Sequence, residues 1–247
     1  MKLTCRDLLN CFWRTYLVGA NFNTRGLQNI GLAFAMDPGL RAIHGSGEAL
    51  QAARARYVRL YNTHPYFTPL LVGAFLFLER NIALGVLPST AQDSFQSTAT
   101  YTMSALGDSF FGGSLLVFWS LAMTILLLCG WYSAAVLWLA VSFLSLQVLK
   151  AITFWLGFSK GLAFFQQLRQ MNLMYWGYWI KMVNALGVLV VFGIIYPFSL
   201  HPLWFAGTFG LLGGAAWLVV RGFVPREAIV VGLLVGWLLW QSSKALG

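Results

Sequence analysis

Three places in the chain carry residues that could do chemistry. Asn62–Thr63–His64–Pro65 is its most polar tetrapeptide, and it stands where a long apolar run begins at Tyr66. An Asn amide both donates and accepts hydrogen bonds, and so does a neutral imidazole. That pairing suits the hydroxyls of a sugar. The same atoms could instead begin a helix, with Asn or Thr as the cap and Pro in the first turn. Asp108, in "ALGDSFFGG", is the sole acid between Asp93 and Glu227 and directly precedes a spanning run. It could cap a helix and meet the positive end of its dipole. It could also form a polar site at membrane depth, where carboxylates usually face a cavity. The two roles are compatible. Glu79 is the third candidate. With Arg80 it interrupts an apolar stretch, either as a locally neutralised pair or as part of the same cavity. Neighbours in sequence do not face each other on a helix, so the pair alone decides nothing.

Little else is available for catalysis. No nucleophile–base arrangement, phosphate loop or metal cluster is visible, and no cofactor is implied. The chain has three histidines, His44, His64 and His201. Cys5, Cys11 and Cys129 are odd in number, lack metal spacing, and read as unpaired packing thiols.

The elements that must position these residues belong to a membrane protein. Of 247 residues, 59% are hydrophobic and only 9% charged, against about 25% charged in soluble domains. Eleven Trp fit residues at a lipid interface. A net charge of +9 then reports orientation and contact with anionic headgroups. No Lys/Arg run or stacking motif suggests nucleic acid. The start carries Lys2 and Arg6 but no apolar core before Arg14, so it does not read as a cleavable signal.

The expected fold is all-α and polytopic. An amphipathic, partly re-entrant half, residues 1–109, bears the polar motifs, and a bundle of transmembrane helices, residues 110–247, follows. In the first half, Asn21, Arg25, Gln28 and Asn29 form one polar stripe at helical spacing. "DPGL", Asp37–Leu40, breaks that helix. A second helix after Gly47 points Leu50, Ala53 and Tyr57 one way and Arg56 and Arg59 the other, to solvent or to an acidic partner. Tyr66–Leu87 reads as a re-entrant or half-buried pair, because its uncharged run stops after thirteen residues and a span wants about twenty. Pro88–Thr102 reads as a polar linker. Spans follow at Phe110–Leu128, Trp131–Leu149, Met182–Phe198 and His201–Val220, with a short apolar helix at Ala228–Trp240. The Lys/Arg bias puts Lys150–Arg169, Lys181, Arg221–Arg226 and the N-terminus on the cytoplasmic side, and Ser199–Pro202 outside.

On these motifs the chain resembles component IID of the mannose/fructose/sorbose family of the bacterial sugar phosphotransferase system. "FWRTYLVGANFNTRGLQNIGLAFAM" is similar to the family's N-terminal block, and "RLYNTHPYFTPLLVGAFLFLER" to its "F-N-T-x-P" segment and acidic helix. "ALGDSFFGG" is similar to its "G-V-G-D-x-x-F-W" segment, and "WLGFSKG" and "FFQQL" match further stations. The resemblance implies a subunit of the bacterial inner membrane that pairs with a IIC membrane subunit, in a higher oligomer of that pair. A soluble IIA/IIB partner carries phosphohistidine, and sugar crosses to be phosphorylated inside. It implies substrate-binding roles for Asn62 and Asp108, and weaker ones for Thr63 and His64, with Glu79 joining them where it lines the same cavity. The departures are Ser109 where Pro is common, Gly112 where an aromatic stands, and Arg80 where a second acid is usual. A diverged scaffold that holds a phosphotransferase complex without moving sugar is the alternative reading.

Overall fold

The computed structural model describes residues 3–196, 202–225, 227–232 and 234–236. Among these the chain is helical and forms no named strand. It divides into two compact units, Met1–Ile194 and Ile195–Gly247.

In the first unit, α1 (Cys5–Arg14) opens with a capping box in which Thr4 and Asp7 bond reciprocally. A 3₁₀ turn over Thr15–Asn21 follows. The polar stripe is not helical, because 3₁₀ backbone ends at Asn21 and a tight turn joins Asn23 to Leu27 before α2 (Asn29–His44) starts. Nor does Asp37–Leu40 break α2, since Pro38 lies inside it. Proline lacks the N–H that would reach the carbonyl four residues back. That carbonyl, Phe34 O, instead accepts from Arg14 Nη1 at 3.1 Å, with the guanidinium over the Phe34 ring.

After α3 (Glu48–Tyr57) comes α4 (Thr68–Ala83), one unbroken helix across Glu79–Arg80. Its side chains from Thr68 to Leu76 are all buried, largely against α7 (Tyr132–Lys160). A Cβ at Gly73 would overlap the Phe154 carbonyl of α7, and one at Gly157 the Leu70 carbonyl of α4. Small residues on both sides let two helix backbones touch. So a 16-residue helix, short for a span, becomes the centre of the core.

The expected linker is also helix. α5 (Ser89–Gly107) runs through a π-helical stretch, Asp108–Leu115, into α6 (Leu116–Leu128). The whole is 40 residues, about 60 Å at 1.5 Å each, roughly twice a bilayer's hydrocarbon thickness. The α6 half is the apolar one. The α5 half turns Gln92, Gln96 and Thr100 inward against the α2–α4 body. The boundary at 109/110 thus falls inside one continuous helix.

α7, α8 (Leu162–Gln170) and α9 (Leu173–Ile195) complete this unit. Both α7 and α9 are long and apolar enough to cross a membrane. Tyr175, Trp176, Tyr178 and Trp179 stand exposed at the start of α9, as an interfacial belt would. In the second unit α10 (Pro202–Val220) is a further candidate span. There the Tyr196 and Thr208 hydroxyls lie 3.1 Å apart. The expected outer turn falls mostly at Ser199, Leu200 and His201, outside the described residues. So does the end of Ala228–Trp240, whose described part is the short apolar helix Glu227–Gly236.

Candidate substrate site along the α5–α6 helix

The segment Arg59–Phe67 lies along α5 and the π turn. Arg59 pairs with Asp93 at 2.9 Å near one end. Asn62 lines a cleft of about 250 Å³ with Arg59, Ser97, Thr100, Tyr101 and Ser104. His64 packs on Gly107, where an added Cβ would overlap the His64 Cβ. Tyr66 and Phe67 both pack on Phe111.

The N-terminal turn holds this segment in place. Leu27 pairs with Tyr61, the Gln28 N–H donates to Tyr61 O at 2.8 Å, and the Thr63 N–H donates to Gln28 Oε1 at 3.2 Å. Asn29 Nδ2 donates to Val58 O at 2.6 Å, and Asn23 Nδ2 to Asn29 Oδ1. The polar residues that sequence spacing put on one helix stripe are therefore a set of clamps. Leu27 adopts a φ of 59°, the strain that this turn carries.

His64 stacks on Phe111 with ring centroids 5.3 Å apart. Its Nδ1 faces the Tyr66 N–H at 3.4 Å, which leaves the proton of the neutral ring on Nε2. Burial holds its pKa below the usual imidazole value; Asp108 opposes that shift and Lys150 adds to it. His64 itself packs on Gly107, the residue before Asp108. Asp108 is exposed and lies within the continuous helix, so it does not cap a helix start. The π turn has support of its own. Ser114 Oγ donates to Ser109 O at 3.0 Å, and Asn184 Nδ2 of α9 reaches Ser114 O at 2.9 Å.

Glu79 has a different setting. It is 0% exposed. Oε1 accepts from Arg56 Nε and the Tyr57 hydroxyl, each at 2.9 Å. Oε2 accepts from Arg56 Nη2 at 2.6 Å and lies 2.8 Å from His44 Nε2. Burial pushes the carboxyl up, but these bonds and the Arg56 charge outweigh it and hold the pKa below the usual value. Arg56, which helical spacing turned outward, points inward and closes the cluster.

Of the five predicted residues, Asn62 and His64 lie along the α5–α6 helix, Asn62 against Ser97–Ser104 and His64 against Gly107, the residue before Asp108. Thr63, in the same loop, is buried with its Oγ1 unpartnered. Glu79 lies apart in the α2–α3–α4 junction. Gln92, Gln96 and Thr100 were missed. They are buried at four-residue spacing with the Gln92 amide, Gln96 Oε1 and Thr100 Oγ1 unpartnered. That spacing was readable inside a segment taken for a linker. Among the described residues no group of acids, histidines and cysteines could hold a metal. The edge offers an amide, an imidazole, a carboxylate, hydroxyls and aromatic faces, a set for holding a polyol.

The fold and this edge define a polytopic helical membrane protein with a polar seam along one helix. A sequence model described as PTS system mannose/fructose/sorbose family IID component matches residues 2–199, and the chain belongs to that family. The fructose permease IID component of Bacillus subtilis (strain 168) is 27% identical over 82 residues, 33% of this chain and 30% of that one. The mannose-specific EIID component of Escherichia coli (strain K12) is 28% identical over 116 residues, 46% of this chain and 41% of that one. The chain thus spans less than half the length of these curated relatives. A chain in the cryo-electron-microscopy structure of the mannose transporter ManYZ with microcin E492 covers all of this one and 98% of its own length, with 21% identity and TM-score 0.54. A structure described only as a membrane protein gives TM-score 0.72 at 20% identity, over 100% and 98%. Both likenesses are of fold.

Proposed function

We propose that the chain is the IID subunit of a phosphotransferase-system permease. It pairs with a IIC membrane subunit in the bacterial inner membrane, in a higher oligomer of that pair, with its N-terminus on the cytoplasmic side. Together they carry a hexose-type sugar to a soluble phosphohistidine-bearing IIA/IIB partner. Asn62, His64 and Asp108 contact the sugar or shape its passage. Thr63 fixes their loop, and Glu79 holds the helices behind it. Residues 1–109 bear these groups, and 110–247 supply the transmembrane bundle. One observation carries the reading: His64 packs on Gly107, next to Asp108 in sequence, so the two motifs that resemble the family's come together. Both lie within the matched residues 2–199.

The test is purification from the native membrane. It would combine identification of co-purifying subunits with calorimetric titration of candidate hexoses. A stoichiometric second polytopic subunit and saturable hexose binding are expected. A polytopic companion without binding of any hexose would leave a membrane scaffold of a phosphotransferase complex. A chain with neither companion nor binding would end both readings.

A further inference from the structure

A groove of about 500 Å³ opens between α6 and α7, with His64 of the polar edge among its lining residues. Its walls include Tyr66, Leu115, Trp119, Trp138, Phe143 and Leu146. One helical turn beyond Leu146 stands Lys150. Its Nζ lies 4.3 Å from the Tyr16 ring centroid and 5.1 Å from that of Tyr66. Among the described residues no carboxylate pairs with it. The Tyr16 hydroxyl donates to Gln147 Oε1 at 2.7 Å and keeps its ring under the ammonium.

The position along α7 identifies what this cation faces. From Tyr132 to Lys150 is 18 residues (150 − 132), about 27 Å of helix, close to the bilayer's hydrocarbon thickness of about 30 Å. With Tyr132 near one boundary, Lys150 lies near the other, where lipid phosphates sit. The groove runs from there back toward the bilayer centre. We propose that it binds an acyl chain of an anionic phospholipid whose phosphate pairs with Lys150. Tyr66 walls the groove and underlies Lys150, so the bound lipid braces the loop that carries His64. Basic pockets between helices on the positively charged side of a membrane suit such headgroups.

A protein helix fits less well. It would have to bring a carboxylate of its own to Lys150. A phospholipid carries its charge at that level already.

The test uses the full-length chain with its co-purifying subunits. These would be reconstituted in vesicles of equal phosphatidylglycerol and phosphatidylcholine, extracted in mild detergent, and counted for retained lipid by native mass spectrometry. One phosphatidylglycerol per chain is expected. Lys150→Met should cut its retention about fivefold, and Lys150→Arg should keep it. Ser142→Trp fills the groove without changing charge, and should also expel the lipid. Size exclusion confirms assembly of each variant. Retention unchanged in both Lys150→Met and Ser142→Trp would overturn the proposal. So would Leu139→Cys, in a background without Cys5, Cys11 and Cys129, cross-linking in native membranes to a second polypeptide or another copy.

Discussion

Glu79 and Asp108 are carboxylates on successive stretches of helix, and their surroundings are opposite. Glu79 is sealed from solvent, and both oxygens are filled by Arg56, Tyr57 and His44. Asp108 is exposed on a π turn beside a half-buried imidazole. The difference follows from what packs around each. Glu79 belongs to a junction of three helices, where an ion could be buried only with complete pairing. Asp108 belongs to a helix edge that one loop covers partly, about two to five turns along the same helix from the buried Thr100, Gln96 and Gln92. The chain pairs its buried carboxylate completely and leaves the exposed one facing solvent.

The largest expected effect breaks the sealed side of this contrast. Glu79→Ala leaves the Arg56 guanidinium buried without its counter-ion. Removing one partner of a buried pair costs about 3–5 kcal/mol, so a marked fall in melting temperature and in folded yield is expected. Differential scanning fluorimetry in detergent measures it. A variant that melts like the parent would show that the cluster is not holding α2, α3 and α4 together.

On the open side the effect moves from stability to affinity. Asp108→Asn keeps the shape and removes the charge. A hydrogen bond to a charged group contributes about 1.5–3 kcal/mol, so hexose affinity of the purified complex should fall about ten- to a hundredfold. The melting temperature should not move. Asn62→Ala should also weaken binding without dissociating the subunits. Unchanged hexose affinity in both variants, in a complex that binds sugar, would remove this edge from the site.

The sequence showed one of these two sides better than the other. Membrane class, the helix after Gly47 and the spans of α6, α7 and α9 were legible, because apolar length and turn residues report them directly. The sealed side was not. α4 falls short of a span, so its charged pair looked like an interruption, and only the Gly73–Gly157 approach to α7 makes it core. Arg56 was turned outward because period alone cannot say that a second helix brings an acid to meet it. The polar stripe Asn21–Asn29 failed because the local bonds of Asn23 with Leu27, Arg25 and Gly26 favour a turn over a helix. The tetrapeptide and Asp108 were visible as polar breaks, but their adjacency needed the fold.

A pH titration separates the two sides by a smaller effect. His64 has its pKa lowered from 6.5, so folding favours the neutral ring. Its contribution is present above that value and is lost as pH falls from 6.5 through the folded pKa. Glu79 has its pKa lowered from 4.5, so folding favours the anion. Its contribution is present above 4.5 and is lost as pH falls through its own lower value. The melting temperature should be level above pH 6.5, decline gently below it, and drop steeply below 4.5. His64→Gln should abolish only the upper decline. A curve that His64→Gln leaves unaltered would show that this imidazole is not desolvated in the folded chain.

The smallest expected effect asks how far full pairing extends on the sealed side. Pro38 deprives Phe34 O of its helical donor, and Arg14 supplies one from α1 at 3.1 Å. If that bond compensates for the proline, Arg14→Met should cost about 1 kcal/mol in the parent chain. Pro38→Ala restores a backbone N–H four residues on, which can fill the same carbonyl. In that background Arg14→Met should cost less, and the two substitutions should be coupled by about 1 kcal/mol, as expected for groups that share one acceptor. The cation over the Phe34 ring is lost equally in both backgrounds, so the double-mutant cycle cancels it. Chemical denaturation of the four proteins in one detergent measures the coupling. Equal costs in the two backgrounds would mean that the Phe34 carbonyl does without Arg14, and that complete pairing stops at the Glu79 cluster.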